Sequence, residues 1–251
     1  MRFLLLLAAS FLLPGLSAAA QCTARSGPGT AALVELYTSE GCSSCPPADR
    51  WLSTLSSRPS SSVVPLALHV DYWDYIGWKD PYAKREFSLR QRKFTQLQRM
   101  AFVYTPQVML QGRDFRGWGS KVFDEAVARI NAQPAKANLK LAILRTDANG
   151  LEVEAAAELV QASARADLYL AAYQSRLESR VNAGENRGRL LAHDYVVLQW
   201  EGPFALPASS LVERRKLALL PGAAPAHSGV AAFVQDRRTG EVLQALLRST
   251  C

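Results

Sequence analysis

Two cysteines three positions apart, Cys42 and Cys45, stand between an apolar run and the prolines Pro46 and Pro47. Thiols at this spacing can close a short disulfide and reopen it by exchange with a partner thiol. The run Ala31-Ala32-Leu33-Val34-Glu35-Leu36-Tyr37 has the length and character of a buried strand, and Pro46 followed by Ala48 to Leu55 predicts a helix. Proline suits a first helical turn, having no N–H to leave unpaired. Cys42 then precedes a helix N-terminus, whose free N–H groups and dipole favour a thiolate. The expected roles are an exposed nucleophile, Cys42, and a resolving thiol, Cys45, buried in the first turn.

The compartment decides whether such a pair stays oxidised. Residues 1–20 carry one positive charge at Arg2, an apolar stretch Phe3 to Leu13, a Pro14-Gly15 break and a small-residue end at Ala18-Ala19-Ala20, which reads as a secretory signal peptide. Gln21 before Cys22 argues against a lipoprotein signal. No later stretch is apolar enough to span a membrane, so the expected destination is outside the cytoplasm, in the bacterial periplasm. There disulfides persist. Cys22 and Cys251 lie at the two ends of the mature chain, and chain ends often meet at a domain surface, so they are expected to form a structural disulfide. The net charge of +7 is spread along the chain and reads as solubility or attraction to anionic envelope surfaces, not nucleic-acid binding.

The elements that must position the pair follow in order. Val63 to Val70 is a second near-continuous apolar strand, consistent with a parallel sheet covered on both faces. Asp71 to Trp78 holds four aromatic rings, and Pro81 is expected to open a helix running to about Arg99. A strand led by Thr105-Pro106, a turn over Gln111 to Asp114, a short strand from Phe115 to Trp118 and a helix from Val122 to Ile130 complete the first part. From Asn138 shorter strands with turn signals read as an antiparallel β-sandwich. The expected layout is a signal peptide over 1–20, an α/β domain over 21–137 and a β-sandwich domain over 138–251.

Cys42-x-x-Cys45 before the first helix and Thr105-Pro106 before the third strand make residues 30–133 resemble the thioredoxin fold. That resemblance implies a cis bond at Pro106, with the Thr105-Pro106 loop facing the cysteines and binding extended substrate backbone. Gly41 stands where thioredoxins usually carry tryptophan, which implies a different partner surface. Leu33-Val34-Glu35-Leu36-Tyr37 is similar to the strand of protein disulfide isomerases whose buried glutamate handles protons, which makes Glu35 the candidate proton acceptor for Cys45. The stretches Glu35 to Asp49 and Gly184-Glu185-Asn186-Arg187-Gly188 make the mature chain look like a bacterial family of secreted thioredoxin-like proteins of unknown function.

Three readings follow. The first is a thiol-disulfide oxidoreductase acting on protein thiols and disulfides of the cell envelope, with no cofactor. In the second, the thiolates join a histidine, His69 being better placed than His193 or His227, to bind a soft metal such as copper. The third is a non-catalytic envelope module with a structural disulfide, in which Gly184 to Gly188 with His193 is either a binding loop or simply a tight turn. No Ser/His/Asp set, phosphate-binding glycine loop or paired-carboxylate hydrolase signature stands out.

Overall fold

The computed structural model describes residues 22–161, 165–221 and 225–251, so the expected signal peptide lies outside the described residues. The chain runs through β1 (Cys22–Arg25), β2 (Ala32–Thr38), α1 (Pro46–Thr54), β3 (Val63–His69), α2 (Arg85–Leu97), β4 (Gln107–Leu110), β5 (Arg113–Asp114) and α3 (Lys121–Asn131). It continues through β6 (Ala137–Asp147), β7 (Gly150–Leu159), β8 (Ala166–Gln174), β9 (Leu177–Arg180) and β10 (Leu190–His193). Last come β11 (Val196–Ala205), β12 (Ser210–Ala218), β13 (Ser228–Asp236) and β14 (Val242–Ser249).

The expected thioredoxin-like α/β domain with a separate antiparallel β-sandwich does not hold: the molecule is mostly β-sheet, and its largest element is one mixed sheet of order β14-β13-β8-β11-β3-β2-β4-β5. The join lies at β3, whose outer edge takes β11 in parallel through Val196 opposite Ala67. An apolar strand buried on both faces would otherwise expose an unpaired edge, which is why later strands cover it. Strands β1, β6, β7 and β12 form a second, four-stranded sheet, and β9 and β10 pair as a hairpin outside both.

Alternation along the strands sorts the layers. Ala32, Val34 and Leu36 of β2 pack with Leu52 of α1 and Phe123 and Val127 of α3. Leu33 and Tyr37 face the other way, toward Phe87 and Phe94 of α2, in a core that also takes Tyr169 of β8 and Phe233 of β13. Leu168, Leu170 and Ala172 of β8 pack instead against Leu139, Leu141 and Val153 of the four-stranded sheet. The large sheet curves enough for its ends to meet: Gln111, beside the β4–β5 turn, donates through Nε2 to Val242 O at 3.1 Å. Next to it Gly112, at φ 75°, lies so close to the Gly240 carbonyl that a Cβ would clash with backbone.

Two boundaries differ from expectation. Helix α2 starts at Arg85 instead of Pro81, because Lys84 is extended at φ −136° and donates its N–H to His69 O, which holds the entry against β3. After the turn, the partner of β4 is Arg113–Asp114, ahead of the expected Phe115 to Trp118.

Inside the aromatic core, Glu35 of β2 accepts from Arg90 Nε of α2 at 2.6 Å. The Arg90 guanidinium lies 4.6 Å from the Trp200 ring centroid and 5.2 Å from that of Tyr169, and its Nη2 donates to Gln235 Oε1 at 3.1 Å. Arg90→Met should therefore cost about 3–5 kcal/mol by leaving a buried carboxylate unpaired. Urea unfolding checks this, and Glu35→Gln in the same chain should restore part of the loss; an unchanged midpoint in Arg90→Met would show that the pair is not structural.

Candidate functional site

Cys42 and Cys45 are joined by a disulfide at the end of β2, and both are fully buried. Cys45 is the residue that caps α1, with helical φ and ψ and no side-chain cap. Pro46 and Pro47 remove two of the N–H groups a helix start normally offers, and the next two, from Ala48 and Asp49, both go to Cys45 O. The helix end therefore presents its dipole to the pair, while its first four positions have no free N–H to give Cys42. Cys42 Sγ lies 3.3 Å from Ser44 Oγ.

Two segments cover the pair. Gly41 lies under the 71–76 segment, where an added Cβ would come within 3.2 Å of Trp73 Cβ and Ile76 Cδ1. The second cover is the tip of the β9–β10 hairpin, Gly184 to Gly188. Asn186 Nδ2 donates to Glu40 O at 2.8 Å and to Cys42 O at 2.9 Å, and Glu185 Oε2 accepts from Ser43 N at 2.9 Å. The glycine pair at positive φ, Gly184 and Gly188, makes the tight turn that aims those side chains. Cys42 is thus closed off, not exposed as expected.

Beneath the disulfide lies a cluster of buried ionisable groups: Glu40, Asp49, His69, Asp80 and His193. His69 Nδ1 bonds Asp80 Oδ2 at 2.7 Å, and His193 Nε2 bonds Glu40 Oε1 at 3.1 Å. Trp78 Nε1 donates to Glu40 Oε2 at 2.7 Å, and the Glu40 and Tyr82 N–H groups donate to Asp80 at 2.8 and 2.9 Å. The two imidazole rings stand 5.0 Å apart, with Tyr82 edge-on to both. Burial alone would depress His69, but the charge and hydrogen bond of Asp80 outweigh it and its pKa is raised. Asp80 is lowered, because His69 and two backbone N–H groups overcome its burial. Asp49 is raised by burial, against the pull of His193, His69 and the neighbouring Thr38 hydroxyl.

Of the other expected site residues, Glu35 does not join this group; alternation along β2 turns it to the face opposite α1, where Arg90 takes its charge. The Thr105–Pro106 bond is cis, and the pairing of Tyr37 with Gln107 sets Pro106 beside the end of β2 that leads into the cysteines. Trp73 links the two loops, donating from Nε1 to Thr105 Oγ1 at 2.7 Å. Cys22 and Cys251 are disulfide-bonded, joining β1 to the end that follows β14. His227 stands apart with Arg176, 3.4 Å from its Nη1. Among the described residues no group of three or more His, Cys, Asp and Glu side chains is disposed to hold a metal ion, and no helix is long and apolar enough to cross a membrane. The one sequence signal for Asp49 is its spacing, four positions after Cys45, which puts both on one helix face.

The chain matches the family described as Protein of unknown function (DUF1223) over residues 33–235. It belongs to the DUF1223 family. The expected kinship with a family of unknown function holds at that level. No curated protein matches this DUF1223 chain. A crystal structure of a protein from Agrobacterium tumefaciens is similar at 24% identity and TM-score 0.66, covering 89% of this chain and 96% of that one. HBP35 of Porphyromonas gingivalis is similar at 15% identity and TM-score 0.63, covering 89% of this chain and 76% of that one. At these identities the likeness concerns the fold.

Two outcomes follow for this DUF1223 site. Asn186→Ala removes two buried hydrogen bonds, about 1–3 kcal/mol of lid closure, and should speed reduction of Cys42–Cys45 by a phosphine roughly ten- to a hundredfold; an unchanged rate would mean that the hairpin tip does not control access. The His69–Asp80 pair sets a pH window. The depressed Asp80 adds stability above about pH 3.9 that is lost as pH falls through its folded value, and the raised His69 adds stability below about pH 6.5 that is lost as pH rises through its folded value. Unfolding free energy should accordingly fall above pH 6.5 in the wild type, and less so in His69→Gln; parallel curves would remove His69 from the account.

Proposed function

We propose that this chain is an exported thiol-disulfide oxidoreductase whose Cys42–Cys45 pair exchanges with thiols and disulfides of partner proteins in the bacterial periplasm. The two disulfides fit a protein of an oxidising compartment. The observation that carries the reading is that Cys42 and Cys45 are only 3 positions apart, against 229 for Cys22 and Cys251. By the chain-entropy account a bond closing so short a loop stabilises the fold by about 2 kcal/mol, while one closing nearly the whole chain stabilises it by about 5 kcal/mol. The short bond is a poor staple. It nevertheless lies at a helix end, beside a proline-led loop and above a cluster of ionisable groups, which suits a bond that opens and closes. Cys42 is the attacking sulfur and Cys45 the resolving one, and the Thr105-Pro106 loop is the proposed contact for the partner's backbone.

The complete burial of both sulfurs favours a second reading, in which the bond is structural and this is an interaction module of the cell envelope. Mixed-disulfide trapping separates the two. On the exchange reading Cys45→Ser should accumulate partners on Cys42 under non-reducing conditions, and Cys42→Ser should abolish exchange with a dithiol. If the native pair resists a dithiol under conditions where the fold persists, the exchange reading fails and the module reading stands.

A further inference from the structure

Exchange at Cys42–Cys45 moves protons where bulk water does not reach, since both sulfurs are fully buried. Cys45 leads α1 and Asp49 follows four residues later, its N–H donating to Cys45 O at 3.1 Å. Residues at that spacing lie on one face of a helix, one above the other. Asp49 is itself only 6% exposed, and the Thr38 hydroxyl adjoins its carboxyl. Two buried atoms of the same cluster lack a hydrogen-bond partner among the described residues: His69 Nε2 and His193 Nδ1. The pattern is regular, because each histidine is fixed by a carboxylate through one nitrogen and left unpaired at the other. Buried polar atoms are nearly always satisfied, so two imidazole nitrogens left unpaired beside a buried carboxyl point to a place where a proton is exchanged.

We propose that Asp49 exchanges a proton with Cys45 during disulfide exchange, and that His69 and His193 are positioning residues that hold Asp49 in its working charge state. The proposal rests on the exchange reading and names the proton-handling group of that site. In the oxidising direction a partner is joined to Cys42 through a mixed disulfide. The Cys45 thiol gives its proton to the Asp49 carboxylate, the sulfur electron pair forms the bond to Cys42 Sγ, and the Cys42–partner bond breaks with its electrons leaving on the partner thiolate. In the reverse direction a partner thiolate attacks Cys42 Sγ, the Cys42–Cys45 bond breaks, and protonated Asp49 returns the proton to the Cys45 thiolate. Electrons pass only between the three sulfurs, so no further oxidant or reductant is needed.

The groups that act on Asp49 are Thr38 from β2, His69 from β3, Asp80 from the segment ahead of α2 and His193 from the hairpin that covers the disulfide, and Glu40 and Tyr82 in turn adjoin the two histidines. Burial and Asp80 raise the Asp49 pKa while both histidines lower it. A carboxylate raised toward neutral pH is a better match for a thiol proton than an ordinary one.

Stopped-flow mixing of the reduced protein with oxidised glutathione tests this, because at saturating reagent the rate is that of Cys45 resolving the glutathione on Cys42. The wild-type plateau should rise with pH through the Asp49 titration. Asp49→Asn should lower it roughly 10²-fold near neutral pH and leave a profile that follows the thiol alone. His193→Gln, which removes the side chain that most lowers the Asp49 pKa, should move the wild-type midpoint to higher pH, and Asp49→Glu should recover part of the rate. A merely structural Asp49 would change the melting temperature and leave the profile in place. If the wild type resolves glutathione and Asp49→Asn does so at the same rate and with the same profile, the proposal is overturned while the exchange reading stands. If the wild type forms no mixed disulfide, both fall together.

Discussion

The charge pair between Glu35 and Arg90 is the interaction on which the arrangement of layers depends. Glu35 belongs to β2, Arg90 to α2, and the guanidinium is walled by Phe94, Tyr169, Trp200 and Phe233 and bonded to Gln235. Those residues come from α2, β8, β11 and β13, so one cation ties the early strands to the late ones. A bare charge there would be costly, and what makes it tolerable is the carboxylate at 2.6 Å together with the ring faces around it. Placing Glu35 at this junction also takes it away from the cysteines. The same alternation that turns Glu35 toward Arg90 turns Thr38, three residues later, toward Asp49 and α1.

Covering the disulfide follows from the same join. Once β11 pairs with β3, the chain just before it is drawn to the β2–α1 end of the sheet, and the β9–β10 hairpin reaches across so that His193 meets Glu40 and Asn186 meets Cys42 O. The hairpin is a small unit of 2 strands outside both sheets, held by Leu177 in the core beside α1, by the buried Val181 and Leu191, and by side-chain hydrogen bonds at its tip. Access to the cysteines and the environment of His193 are thereby linked, since one short hairpin supplies both the cover and the imidazole.

Local pattern made much of this legible. Continuous apolar runs marked β2 and β3, the proline pair marked the start of α1, and the glycines of Gly184 to Gly188 marked a turn. Partnership between distant strands was not legible: an all-buried strand such as β8 reads the same whether it fills a sandwich or the middle of a mixed sheet, and nothing in Ala166 to Gln174 names β11 and β13 as neighbours. The residues of the buried cluster were each visible but not their meeting, because Glu40, Asp49, His69, Asp80 and His193 come from five separate stretches. The one local clue was the four-residue step from Cys45 to Asp49. The double proline had a consequence that helix-start rules leave out: two prolines in the first turn also take away the N–H groups that would have stabilised a thiolate.

The two disulfides consequently stand in opposite electrostatic settings. Arg248 Nε lies 3.3 Å from Cys22 Sγ, so a cation adjoins the bond between the chain ends and would stabilise a thiolate there. The Cys42–Cys45 bond has instead Glu185 on the neighbouring Ser43 N–H, Glu40 two residues before Cys42, and a helix start stripped of free donors. The α1 dipole is then the favourable contribution left to a thiolate in that setting. On the exchange reading, a proton moved where both sulfurs are fully buried needs a resident group to accept it, which connects the buried Asp49 to the chemistry proposed for the cysteines.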